Sequence, residues 1–206
     1  MRHRIMLLLM VVMATVSTGC TISHVVQEDY QQYLLNNSGN IEKKTLSKKA
    51  RYSLSDRTVN HRTEFRSGTA GAANLWIVDF GKMLDDSLKS GDYADAFSTA
   101  SDSRLHVDFD LESFEFRNFQ AYLTLKIVVE DGGVAVIDKA YQVVGRNQAA
   151  KVVLTRGFAM KNAIQQSTKF AIDDIMRQLF SDLKAHNIVS IGTKIPILHP
   201  AGSIAA

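Results

Sequence analysis

Two sets of residues in this chain have types and spacing that bear on chemistry: Cys20, and the row His106, Asp108, Asp110 and Glu112. Cys20 is the only cysteine, and it follows Ser17-Thr18-Gly19, residues small enough for a peptidase to reach the backbone. Cleavage there would leave its thiol at a new N-terminus. The second row alternates along an extended segment, so its side chains fall on one face of a strand, successive ones about 7 Å apart. That spacing suits a hard cation held between carboxylates, yet calcium takes about six to eight oxygens, usually from a loop. A solvated outer face is therefore the expectation for the row, and Asp85 and Asp86 are expected as surface charge as well. The chain carries no G-x-S-x-G, no phosphate loop and no H-E-x-x-H. His24, His61, His106, His186 and His199 are scattered. No catalytic residue, metal site or cofactor is expected, and the chain reads as a non-enzyme.

The residues before Cys20 explain its placement. Arg2 and Arg4 precede an apolar run from Ile5 to Val16, the order of a secretory leader, with a run too short for the roughly 20 apolar residues that span a bilayer. The leader resembles a bacterial lipoprotein signal, in which the cysteine sulfur takes a diacylglyceryl group and the new amino terminus a further acyl chain such as palmitate. Thr18, Gly19 and Cys20 fit that pattern, whereas Ser17 stands where Leu is usual. Thr21 in place of Asp implies, by the same resemblance, the outer membrane. An unpaired thiol is a liability in an oxidising compartment, and acylation blocks it.

Charge excludes some partners. The whole chain carries a formal +3, but losing Arg2 and Arg4 leaves the remainder close to neutral. From Lys43 to Arg66 eight basic residues face only Asp56 and Glu64, and from Asp79 to Glu115 ten acidic residues face Lys82, Lys89 and Arg104. The two stretches read as solvated surfaces that offset one another within the domain; the alternative is a basic surface for anionic lipid or an acidic partner. Tyr52 and Phe65 are the only aromatics available for base stacking in the basic stretch, so no nucleic-acid partner is expected.

The periodicities predict the elements. Residues 1–19 form the leader, 20–30 a tether, 31–186 one α+β domain and 187–206 a tail containing Ile195-Pro196-Ile197-Leu198. Within the domain, Gln31 to Leu35 and Ala50 to Leu54 are expected as short strands. Ala73, Trp76, Ile77, Phe80, Met83, Leu84 and Leu88 predict a helix between Ser67 and Lys89, capped by Ser67 or Thr69 and stopped at Gly91, with Trp76 in the core. Leu105 to Phe116 alternates, then slips by one residue near Glu112 and Ser113, which predicts a β-bulge. After a turn at Arg117 to Gln120, strands Ala121 to Glu130 and Val134 to Val144 join through Asp131-Gly132-Gly133, completing an antiparallel meander. A helix from about Gly157 to Lys184 should cover it with Ala163, Ile164, Ser167, Ala171, Ile175, Leu179 and Leu183. Lys161, Gln165, Lys169, Asp173, Arg177 and Asp182 are expected on its other side.

The order of amphipathic helix, acidic linker, long strand, two hairpin-connected strands and long helix resembles the small envelope lipoproteins of the YajG-like type. More loosely it resembles the auxiliary lipoproteins of lipid-handling ABC transport systems. Leu75 to Leu88, Leu105 to Phe116, Ala121 to Val144 and the helix around Lys161-Asn162-Ala163-Ile164 and Ala171-Ile172 carry the likeness. It implies a periplasm-facing α+β domain without catalytic residues. The function expected is an outer-membrane lipoprotein held through acylated Cys20, acting as an accessory or adaptor for an envelope protein partner in transport or assembly. A carrier of lipid or another apolar ligand is the second reading, and a hydrolase of dispersed residues the third.

Overall fold

The computed structural model describes residues 21–37, 46, 49–66, 74–99, 102–155 and 159–186. Cys20, the leader, the tail from residue 187 and the expected caps Ser67 and Thr69 lie outside them.

The meander dominates. Strands β6 (Leu105–Arg117), β7 (Gln120–Asp131) and β8 (Val134–Val144) pair antiparallel. Leu105, Val107, Phe109 and Leu111 are buried, the register shifts between Leu111 and Ser113, and Phe114 and Phe116 are buried again. The bulge therefore keeps both apolar sets inside, as expected. Both connecting turns need positive φ. At the β6–β7 turn Asn118 (φ 50°) and Phe119 (φ 59°) adopt it, Phe119 while packing against the core. At the β7–β8 turn Gly132 (φ 61°) and Gly133 (φ 85°) supply it without a Cβ clash.

The meander is antiparallel and the class is α+β, as expected, while the N-terminal strands add parallel pairings that make both sheets mixed. The larger runs β5-β2-β6-β7-β8, with β2 (Ala50–Leu54) parallel to both β5 (Phe97–Ser98) and β6. The smaller runs β1-β4-β3, with β1 (Ile22–Val25) parallel to β4 (Asn74–Asp79) and β3 (Arg62–Arg66) antiparallel to it. Phe65 of β3 stacks on Phe116 of β6 with ring centres 5.6 Å apart, which packs the small sheet against the post-bulge half of β6.

Three expectations fail in the N-terminal half. The segment read as a tether forms β1 and a 3-10 helix, Val26–Asp29. Gln31 to Leu35 belongs to a helix, α1 (Tyr30–Asn37), which buries Tyr30 and Leu34 one turn apart. The helix expected from Ser67 divides: Asn74–Asp79 is β4, and only Phe80–Lys89 is helical (α3). Trp76, Ile77 and Val78 are consecutive and all buried, a pattern that a strand covered on both faces satisfies and a one-striped helix does not. Trp76 is core, as expected, but in a strand and stacked on His24. Asp79 caps α3 by accepting from the Lys82 N–H at 3.1 Å, and the helix ends at Ser90 in extended geometry rather than at a left-handed Gly91. A short α2 (Asp56–Val59), capped by Ser55, lies between β2 and β3.

The C-terminal helix α5 (Met160–Ala185) follows a short α4 (Ala149–Leu154) and lies on the meander's inner face. All seven residues of its expected stripe are buried. Near Gly145 the approach is tight: a Cβ there would stand 2.1 Å from the Ser167 carbonyl oxygen, so glycine alone fits. The Ser167 hydroxyl accepts from the Ala121 N–H at 2.9 Å, tying the helix to the start of β7. Gln165, Lys169 and Asp173, expected to point outward, are buried.

Candidate functional site

The row His106, Asp108, Asp110 emerges on the outer face of the large sheet and meets Ser53 of the parallel neighbour β2 and Ser55, the N-cap of α2. Parallel pairing sets Ser53 opposite Asp108 and Arg51 opposite His106, so alternation on two strands brings a serine, a histidine and an aspartate together. Glu112 sits at the bulge and is exposed, set off from the other three by the register shift. The grouping has the composition of a nucleophilic triad but not its wiring. A triad needs the serine on one ring nitrogen and the carboxylate on the other. Here the Ser53 hydroxyl lies 3.0 Å from His106 Nε2, Asp108 Oδ1 lies 3.5 Å from the same Nε2, and the hydroxyl donates to Asp108. The histidine is thus not oriented by the acid, and the serine's proton is directed to a carboxylate.

Next along the row, Asp110 accepts from Ser55 at 2.6 Å and from Arg57 Nε at 3.1 Å, and Arg57 foremost, then Ser55, holds its carboxyl below the usual range. Beneath them Thr58, fully buried, donates to the Phe109 carbonyl at 3.1 Å and accepts from the Leu111 N–H at 2.7 Å. Among the described residues no group of three or more His, Cys, Asp or Glu is arranged to hold a metal ion.

A cleft of about 520 Å³ opens between β2 and α3, lined by Tyr52, Leu54, Val59, Asp79, Lys82 and Asp85 among others. The Tyr52 hydroxyl donates to Asp85 Oδ1 at 2.7 Å, and Lys89 reaches the other oxygen at 2.6 Å. Burial and the Asp85 carboxylate push the phenol above its ordinary pKa, so Tyr52 is a donor throughout the physiological range. Asp85 is thereby held from both sides. Asp86 is buried, contrary to its expected place on the surface, and takes Gln31 of α1 at 2.7 Å and Lys82 at 3.2 Å.

A further polar cluster lies on the side of α5 expected to face away from its apolar stripe. Lys161, Gln165, Lys169 and Asp173 stand four residues apart along α5 and therefore on one side of it. Lys161 pairs with Asp29 at 3.0 Å, and the Gln165 side chain donates to the Val26 carbonyl at 2.9 Å and to Asp29. Although burial opposes it, the pairing with Lys161 and Gln165 keeps Asp29 below the usual carboxylate range. Deeper in, Lys169 Nζ lies 2.7 Å from Asp173 and 3.1 Å from Asp92, and the Tyr93 hydroxyl donates to Asp173 at 2.9 Å. Burial raises the Asp173 carboxyl even against the pull of Lys169 and Tyr93. The partners come from the segments just after β1 and just after α3, so the row bolts the N-terminal segment and the α3 turn to the C-terminal helix. Its charges are spent on one another. Nothing in the sequence near Lys169 announces Asp92 or Tyr93, although a lysine and an aspartate four apart beside an apolar stripe are the available signal.

Compared with known proteins, the chain matches no protein-family model and no curated protein. Among solved structures, it is similar to protein XCC0632 from Xanthomonas campestris, family-model DUF330, at 13% identity and a TM-score of 0.45, covering 72% of this chain and 92% of that one. A second, an uncharacterized protein, shares 11% identity at a TM-score of 0.34, covering 67% and 99%.

Proposed function

We propose that the chain is a bacterial outer-membrane lipoprotein anchored through Cys20, of the YajG-like or ABC-transport auxiliary kind. Its α+β domain serves as a non-enzymatic accessory or adaptor in an envelope transport or assembly complex. The observation that supports this best is how the polar side chains are used. Ser53, His106 and Asp108 engage one another in a non-catalytic arrangement, Asp110 is taken by Ser55 and Arg57, and Lys169 is neutralised by Asp92 and Asp173. What the domain offers its surroundings is surface, above all the outer face of the meander, where Asp138, Ala140, Gln142 and Val144 are exposed. Such a face suits contact rather than turnover.

Two measurements test it. Metabolic labelling with an alkyne fatty acid should mark the wild-type chain in the outer-membrane fraction and leave Cys20→Ala unmarked; an unlabelled wild type, free in the periplasm, defeats the anchor. Photo-crosslinkers at Gln142 and Thr124 should capture a single envelope protein in stoichiometric amount, and crosslinks to no protein from either position defeat the adaptor role.

The second reading, a carrier of lipid or another apolar ligand, draws support from the cleft beside Tyr52, whose volume falls within the range of small-molecule sites. Native mass spectrometry of protein extracted from membranes separates the two, since a carrier retains a ligand of defined mass.

A further inference from the structure

We infer that the domain rests directly on the lipid surface, with the Thr21 end of the small sheet turned toward the head groups. This rests on the acylation of Cys20 proposed above. Consecutive Cα atoms are about 3.8 Å apart, so an acylated Cys20 holds Thr21 at the bilayer surface. The chain has no slack beyond that point. Ile22 is already paired with Asn74 and Val25 with Ile77, and the next turn is clamped to α5 through Gln165 on Val26 and Lys161 on Asp29. Peeling β1 away as a leash would break both the ladder and the clamp.

The side chains at this end fit a lipid surface with anionic head groups. Ile22 is 54% exposed, and Arg66 at the end of β3 reaches the Thr21 hydroxyl at 3.1 Å. An apolar side chain at the acyl boundary beside a guanidinium at phosphate level is the pairing that interfacial attachment uses. The opposite end of the molecule is well removed. Phe65 stacks on Phe116, which aligns the Thr21 end with the β6–β7 turn. The β7–β8 turn lies one 12-residue strand away, roughly 40 Å. The domain thus stands on the leaflet with its β7–β8 turn outermost, and a partner must come to it.

The test uses the full lipidated chain in vesicles of phosphatidylethanolamine and phosphatidylglycerol containing a doxyl-labelled quencher lipid. A fluorophore is attached to Ile22→Cys, with Thr21→Cys as a second near position, or to the exposed Val134→Cys at the far end. Because acylated sulfur does not react, one label per chain reports an acylated Cys20, and two labels report a free one and sink the anchoring reading itself. With one label per chain, fluorescence at residue 22 or 21 should fall by about half or more, as at an interfacial depth, and stay nearly constant at residue 134. Equal quenching at both ends, or none at either, overturns the seating while the anchor stands. A Gly/Ser spacer inserted between Cys20 and Thr21 should relieve the quenching at residue 22; undiminished quenching shows that short reach does not set the orientation.

Discussion

The row on α5 and the row on β6 are made of similar residues and reach opposite outcomes. Lys161, Gln165, Lys169 and Asp173 recur every fourth residue of a helix, and His106, Asp108 and Asp110 every second residue of a strand. Each meets hydroxyls and opposite charges from a distant part of the chain. On the strand, Arg57 and Asp110 stay in contact with water, where an ion pair contributes little. On the helix, Lys169, Asp92 and Asp173 are all under a tenth exposed, where the attraction is strong and an orphaned charge is costly. Burial, not composition, decides which polar row holds the fold together.

The comparison is broken most directly at Lys169. Lys169→Met strands two buried carboxylates, and urea unfolding should show a loss of about 3–5 kcal/mol. Adding Asp92→Asn and Asp173→Asn should recover most of it, since amides do not need the ammonium. A smaller loss is expected beneath the strand's row, at the buried Thr58 of α2. Thr58→Val leaves the Leu111 N–H without its acceptor, and thermal unfolding should register about 1–3 kcal/mol.

The pH dependence sharpens the contrast. Burial raises Asp173 above its ordinary 3.8, so the folded chain keeps a proton that the unfolded chain has released. Stability arising from this group therefore falls as pH climbs from that value through the raised one. Urea midpoints across that window should decline more steeply for wild type than for Asp173→Asn; parallel profiles would count against the assignment. At the bottom of the scale, Arg57→Ala should leave the urea midpoint unchanged within error, because its pair with Asp110 is solvent-exposed.

The same contrast explains what could be read in advance. The long strands were legible because alternation, the slip at Glu112 and Asp131-Gly132-Gly133 are local signals, and so was the apolar stripe of α5. Burial of Lys169 was not legible, since Asp92 and Tyr93 lie some eighty positions away and only packing brings them near. The strand-to-helix join at Asp79 and Phe80 is hidden in the sequence because β4 buries Trp76, Ile77 and Val78 in succession, so its apolar residues also fall at helical intervals with those of α3. Ser53, His106 and Asp108 were legible as strand residues, but the direction of the Ser53 hydroxyl, which decides their chemistry, depends on parallel pairing that no local pattern encodes. Of the site residues, Cys20 rests on sequence alone, since it lies outside the described residues.

The bulge in β6 gives the fold a dependence on counting. Before it, Phe109 meets Tyr52 and Phe97; beyond it, Phe114 meets Phe80 and Phe116 meets Phe65. One unpaired position keeps both halves of the strand in phase with the interior. Deleting Glu112 would act on side-chain direction as a lost nucleotide acts on a reading frame, turning Phe114 and Phe116 toward solvent while leaving every downstream residue chemically intact. Substitutions at this exposed position should be tolerated widely and its removal hardly at all, so a residue of little chemical consequence is kept for its place in the count.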